Sequence, residues 1–335
     1  MLIAVNFHYV RPVFDAPFPG IHGITPEQFE SQLKLLSRAG TFVSGADIRA
    51  AVRGQTAMPE RALVVTFDDG LSEQYEHAVP VLRRLAIPAM LFVNTQPIAE
   101  GKVSSVHKIH LLRANVPPQD FLARLTDAAR ERSIDLDASG GCDPGVNHYK
   151  YDEPEAAKLK YLLNFVLAPT DRDVLIDTLF EQCFEGDEAS ISRQLYMSPE
   201  QIAELGRERW IGTHAHEHLP LGLMTDDAAE LQIEQSAALL ARWTGERPFA
   251  LSYPYGSREA SSPAVAAAAV GRGIEYAFTM ERAGNANLTS PLHLARFDNN
   301  DMPGGKAARW QIDELFSAVT PRTWFTEAQM AGETN

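Results

Sequence analysis

The sequence predicts an α/β fold built on a parallel sheet, and three observations carry that reading. Short, almost wholly apolar runs recur along the chain, the signature of strands buried on both faces. Between them lie stretches of helical periodicity that open on Ser or Thr followed by Pro, the chemistry of a capped helix start. The alternation of strand, loop, helix and strand is the rhythm of a parallel sheet with helices outside. An open doubly wound sheet and a barrel both accommodate it, and periodicity does not choose between them.

Residues 2–7 read as the first strand, which empties into His8-Tyr9-Val10-Arg11-Pro12. Thr25-Pro26-Glu27-Gln28 starts a helix whose core face carries Phe29, Leu33 and Leu36 at helical spacing. Met58-Pro59-Glu60 leads into a second strand at 62–67, and Asp68-Asp69-Gly70 stands where it ends. A helix around 78–85 and a strand at 89–93 follow. The rhythm resumes at Ser198-Pro199-Glu200-Gln201, another helix start, with a strand at 210–213 and a helix over 226–243. Further strands fall near 249–253, 275–279 and 292–297.

Between about 104 and 197 the alternation stops. Helical stretches at 118–132 and 154–183 flank a loop at 138–145 that contains Gly and Asp. No Ser/Gly/Pro linker isolates this region, so it is expected to be a helical insertion on one scaffold spanning 1–325 rather than a separate domain. The last residues, 326–335, read as a frayed tail. No internal repeat is present.

Composition narrows the function. The 335 residues are 45% apolar and 22% charged, an ordinary globular balance. Acids outnumber bases 44 to 30, for a formal charge of −14. Such a surface is a poor host for nucleic acid, whose binding depends on Lys and Arg, and suits a soluble enzyme with a neutral or small substrate. Cys142 and Cys183, the two cysteines, make neither a disulfide framework nor a structural zinc site. The N-terminus has no basic region, and its apolar run is broken by Asn6 and His8. No run approaches the roughly 20 apolar residues of a membrane span, so the expected compartment is the cytoplasm.

Three segments carry candidate chemistry. The first is Asp68-Asp69, behind a buried strand, where carboxylates are expensive without a job or a partner and where parallel α/β folds build their sites. Ordinary turn chemistry is the plainer reading of Asp-Asp-Gly. The second is Gly212-Thr213-His214-Ala215-His216-Glu217-His218, again just past a strand. His214 and His218 share a face on a helical turn and could grip one metal. His216 points elsewhere on such a turn, whereas in an extended loop all three histidines share a face; a solvated loop is the plainer alternative. Asp69, His214 and His218 make a two-imidazole, one-carboxylate set that leaves positions open for water and substrate, with Asp68 beside it as a base. The third segment, Ser252-Tyr253-Pro254-Tyr255-Gly256, is a strand-end turn able to aim a backbone N–H at an oxyanion.

Taken in order, Thr66-Phe67-Asp68-Asp69-Gly70, Gly212-Thr213-His214…His218-Leu219 and Tyr253-Pro254-Tyr255-Gly256 resemble the leading motifs of the polysaccharide deacetylases, the NodB-homology group or carbohydrate esterase family four. Flanking phrases agree: Phe7-His8-Tyr9-Val10, Gln28-Phe29, Ala78-Val79-Pro80-Val81-Leu82, and Leu294-Ala295-Arg296-Phe297-Asp298. The resemblance spans about 2–100 and 198–298. It implies a distorted (β/α) barrel of about seven strands with a divalent metal at the strand C-termini. By motif position Asp69, His214 and His218 are metal ligands, Asp68 is the general base, and Tyr255 lends its main-chain N–H to the oxyanion. Zinc is the first expectation, with iron, cobalt, manganese or nickel suited to the same ligands.

The chain departs from the family pattern at three places. Ala215 stands where Ser or Thr is usual. Ser252 replaces an Arg that braces the catalytic Asp; Arg296 is a substitute source of the guanidinium, against the alternative of a surface Arg paired with Asp298. The late Leu-x-His motif that supplies a general acid is absent, since Leu292-His293 has the wrong spacing. His8 at the end of the first strand is the candidate acid, against a structural role; His107 and His110 in the insertion are further candidates, and Asp68 could itself return the proton it takes. The implied activity is N-deacetylation of an N-acetylated sugar, with a nucleotide- or lipid-linked intermediate of surface-glycan synthesis as the expected substrate. The insertion is then expected to help select it. Another amide hydrolase on the same scaffold, such as a deformylase or cyclic-amide hydrolase, and a non-catalytic glycan-binding relative are the rival readings.

Overall fold

The computed structural model describes residues 1–15, 23–136, 154–184 and 187–325. The described residues of Met1–Pro12, Gly23–Gly101 and Ser192–Asn335 form one compact unit, and those of Val13–His22 and Lys102–Ile191 a second. Cys142, the loop at 138–145 and the tail beyond 325 lie outside the described residues. No described helix is long and apolar enough to cross a membrane.

Among the described residues, the first unit holds eight strands: β1 (Leu2–Phe7), β2 (Thr41–Phe42), β3 (Ala62–Phe67), β4 (Ala89–Val93), β5 (Ile211–Thr213), β6 (Ala250–Ser252), β7 (Tyr276–Phe278) and β8 (Phe297–Asp298). Their order is β7-β6-β5-β4-β3-β1-β8, with β2 paired to β3. Every pairing between these strands is parallel. This is the distorted (β/α) barrel, with β2 as a two-residue addition to the expected strands. Thr41 is exposed and Phe42 half-buried, too short and too polar a stretch to announce a strand.

Period two along the strands sets the layers. Ile3, Val5 and Phe7 of β1, with Leu63, Val65 and Phe67 of β3 and Leu91 and Val93 of β4, pack outward against helix residues such as Phe29, Leu33, Leu82 and Leu205. The alternate residues, Leu2, Ala4, Ala62, Val64, Met90, Phe92, Ala250 and Phe278, pack together as the inner core. Continuing the inner row toward the strand C-termini reaches Asn6 and Thr66, which are register partners, and then Asp68. Thus the barrel interior is apolar and aromatic below and polar at the top.

The segment 292–297 departs from the expected strand. Pro291–His293 is a 3₁₀ turn and only Phe297–Asp298 is strand. Leu294 bridges Phe278 of β7, whereas Phe297 pairs with Val5 of β1. The segment therefore joins the last strand to the first and closes the seam. Between those contacts the backbone leaves the ladder: Ala295 N donates to Asn285 Oδ1 at 2.8 Å and Arg296 N to Glu281 O at 3.0 Å.

Helices follow their caps. Thr25 and Ser198 each accept from the backbone N–H three residues on, with Gln28 and Gln201 reaching back, as a capping box requires. Two further helices start on serine caps: Gly45–Val52 with a capping box between Ser44 and Asp47, and Pro263–Gly271 with Ser262 accepting from Val265 N alone. In the second unit the helical region is more divided than its periodicity suggests. It contains Ser105–Asn115, Pro118–Glu131, Pro154–Tyr161 and Pro169–Cys183, with a π turn at Leu162–Val166 before Pro169. Its core includes Leu111, Leu112, Phe121, Leu125 and Phe180, and the buried Lys108 is paired with Asp177 and Glu188 at 2.7 and 2.8 Å. Cys183 is a free, half-buried thiol.

Candidate active site

The site lies where the inner row turns polar. Asp68 follows β3 on that row and is buried at 4% exposure. Arg296, fully buried, meets it through two parallel bonds, Nη1 to Oδ1 at 2.9 Å and Nη2 to Oδ2 at 2.8 Å. The alternative pairing with Asp298 does not occur: Asp298 accepts instead from the main-chain and side-chain nitrogens of Asn300. The remaining guanidinium hydrogens go to Asn6 Oδ1 at 3.0 Å, Ser252 Oγ at 2.8 Å and Thr279 O at 3.2 Å. Asn6 Nδ2 donates to Asp68 Oδ2 at 3.1 Å. Below, Phe92 and Phe278 present their rings to the guanidinium at 6.0 and 5.7 Å, within cation–π range.

Burial alone would push the Asp68 carboxyl upward, but the Arg296 charge, with His214 and His8 nearby, outweighs it and holds the group well below the usual carboxylate range. Asp68 is therefore an ionised carboxylate at neutral pH.

At Asp69 the chain turns out of the strand with φ 79°, followed by Gly70 at 67°. A Cβ on Gly70 would stand 3.0 Å from Val93 Cγ1, so this turn has both a conformational and a spatial need for glycine. His214 follows β5, and His218 ends the same loop. Their Nε2 atoms lie 3.6 and 3.4 Å from Asp69 Oδ1. The three ligand atoms fall within 4.8 Å of one another, all on buried residues. His214 Nδ1 lies 2.7 Å from Ser252 O; a carbonyl only accepts, so Nδ1 carries the proton and Nε2 turns its lone pair toward Asp69. Two imidazole nitrogens and a carboxylate oxygen, oriented and desolvated, fit a divalent metal ion.

Backbone strain concentrates here. Of the eight described non-glycine residues with positive φ, four are Asp69, Ala215, His218 and Tyr255. Such conformations persist only where surrounding contacts impose them.

The other candidates divide. Tyr255 is 43% exposed, and its ring meets that of His218 edge-on at 5.0 Å, which places it at the rim. His8 is half-buried, and Gln74 Nε2 joins its carbonyl to that of Asp68, at 3.0 and 2.6 Å. His293 is packed away: its Nε2 faces Ser261 O at 3.0 Å and its ring lies 4.4 Å from that of Phe325. His107 and His110 stand on Ser105–Asn115 of the second unit, their rings 5.9 Å apart. Sequence reading missed Asn6 and Ser252 as partners of the Asp68–Arg296 pair. A polar residue inside an otherwise apolar strand was the available signal for Asn6.

A parallel barrel that gathers an ionised buried carboxylate and a carboxylate–imidazole cluster at its strand C-termini is a hydrolase scaffold. The polysaccharide deacetylase family model matches residues 55–124 and 175–273, about half of the chain, and the chain belongs to that family. It is accordingly a hydrolase of amide C–N bonds. Three solved structures are similar in fold. IcaB from Ammonifex degensii has 18% identity and a TM-score of 0.54 over 89% of this chain and 91% of its own. The Streptococcus pyogenes deacetylase PplD, solved with acetate, has 13% identity and a TM-score of 0.53 over 96% and 98%. The de-N-acetylase from Aggregatibacter actinomycetemcomitans has 14% identity and a TM-score of 0.54 over 91% and 97%. No curated protein matches the chain.

Proposed function

We propose that this chain is a metal-dependent N-deacetylase of an N-acetylated sugar, with Asp69, His214 and His218 as the metal ligands. The convergence of their donor atoms within 4.8 Å, beside the ionised Asp68, is the observation that supports this reading. Zinc suits the donor set first, and iron, cobalt, manganese and nickel accept the same ligands. When bound, the ion supplies Lewis acidity, polarising the acetyl carbonyl and lowering the pKa of a water.

The protein's own groups do the rest. Asp68, kept ionised by Arg296, takes a proton from the water as it attacks the carbonyl carbon. The Tyr255 main-chain N–H receives the charge that develops on the carbonyl oxygen. The C–N bond then breaks, and the departing amine needs a proton because it leaves poorly as an anion. His8, whose carbonyl is tied by Gln74 to that of Asp68, is assigned as the donor. The products are acetate and a free amino sugar.

For the substrate we propose a nucleotide- or lipid-linked N-acetyl sugar used in surface-glycan synthesis, handled in the cytoplasm by a single barrel domain that carries the helical unit as an insertion. Metal analysis of protein purified without chelator, combined with acetate release from monomeric and polymeric N-acetyl sugars, tests the whole reading. Bound metal and chelator-sensitive acetate release are expected. Acetate release that survives complete metal removal would overturn it.

A further inference from the structure

The histidine between the two proposed ligands has its own partners. His216 is buried, with Thr95 Oγ1 at 2.9 Å from Nδ1 and the Glu100 carboxylate at 3.3 Å from Nε2. A carboxylate only accepts, so Nε2 carries the proton and Nδ1 accepts from the Thr95 hydroxyl. The main chain is tied in the same direction. His214 N donates to Val93 O at 2.9 Å, Thr95 N to Ala215 O at 3.3 Å and Gln96 N to His216 O at 2.9 Å. On the other flank the Gln232 amide clamps Glu217, accepting from its N at 2.9 Å and donating to its carboxylate at 2.7 Å.

Beside these clamps Ala215 and His218 hold φ values of 61° and 59°, a region that non-glycine residues avoid unless contacts compel it. The loop contains no glycine or proline between His214 and His218 to set that shape locally. Ala215 also lacks the hydroxyl that could have served as a side-chain tether. Its N–H is met by Thr213 Oγ1 at 3.2 Å instead.

We infer that His216 is a positioning residue: through Thr95 it locks the 214–218 loop so that the His214 and His218 Nε2 atoms converge with Asp69 on one metal ion. This rests on the metal reading above. Thr95, fully buried, acts as an anchor.

The test is the Zn²⁺ affinity of the full-length protein, by competition with a chromogenic chelator, alongside the melting temperature of the metal-free form. His216→Ala and the near-isosteric Thr95→Val are expected to bind Zn²⁺ about tenfold or more weakly than the parent, the scale on which groups that orient ligands act. Their metal-free melting temperatures should move by only a few degrees. His216→Asn, whose amide oxygen can replace Nδ1 as acceptor, should recover most of the affinity. Affinities within about twofold of the parent in both His216→Ala and Thr95→Val would overturn the inference, since such groups normally cost more. So would a His216→Asn variant as weak as His216→Ala, or a loss no larger than the fall in metal-free stability explains. If His216→Ala does not fold, Thr95→Val carries the same comparison. A parent protein that binds Zn²⁺ no better than His214→Ala would instead sink the metal reading itself.

Discussion

Arg296 and Asp68, 228 positions apart, form a two-pronged ion pair inside the barrel, with donor–acceptor distances of 2.9 and 2.8 Å. Taking both charges out of water is costly, and their attraction compensates only when the leftover hydrogen-bonding groups are met. Here Asn6, Ser252, Thr66 and Thr279 meet them. The carboxylate is thus fixed in orientation and in charge, which is what a base at this position requires.

Arg296→Met leaves the Asp68 carboxylate buried without its countercharge. Stability should fall by about 3–5 kcal/mol, the cost of breaking one side of a buried pair, measured by urea unfolding. In whatever folds, the carboxyl should titrate at higher pH, so the acid limb of the rate profile moves upward while metal content persists.

The two neighbouring carboxylates should separate cleanly. Asp69→Ala and His214→Ala should lose metal and activity together. Asp68→Asn should retain metal yet lose activity by several orders of magnitude, measured by metal analysis and acetate release on the same samples. A fully active Asp68→Asn protein would remove Asp68 from the role of base.

His293 offers a pH test. Burial pushes its imidazole down to about 4, whereas an unfolded histidine titrates near about 6.5. The unfolded chain therefore binds the proton more readily between these values. This contribution to stability is full above about pH 6.5 and is lost as pH falls toward 4, on the order of 2–3 kcal/mol. His293→Gln should flatten that part of the unfolding free energy versus pH curve. Because His293 is bonded to Ser261 O and is not the proposed acid, activity near neutrality should change little.

Gly256 closes the turn that carries Tyr255. Its φ is 59°, and a Cβ there would stand 2.7 Å from Met280 Cγ and 2.8 Å from Met280 N. Met280 N in turn donates to Gly256 O at 2.8 Å, so the backbone has no room to yield. Gly256→Ala should cost about 1–3 kcal/mol and lower kcat more than it raises KM, measured by thermal unfolding and steady-state kinetics.

Much of the molecule was legible in advance because its determinants are local. Buried runs such as 2–7, 62–67 and 89–93 announce strands whatever they pack against, and Thr25 and Ser198 announce helices by capping chemistry. Asp68-Asp69 and His214–His218 fall at strand ends because each directly follows a buried apolar run. Elements that went unread are short or weakly patterned: β2 with two residues, Gly45–Val52 and Pro263–Gly271. The 292–297 run reads as a strand from its apolar content. Its backbone is instead captured by Asn285 and Glu281, residues whose proximity no local pattern encodes.

What this sequence determined by itself was the α/β rhythm, the polar strand ends and the residue types able to grip a metal, because periodicity and residue chemistry act over a few positions. Only the tertiary structure decided which guanidinium reaches Asp68, that Asn6 and Ser252 complete that pair, and that His216 turns to Thr95 rather than to Asp69. Those outcomes depend on strand register and on the closing of the barrel seam, which bring together side chains separated by scores or hundreds of residues.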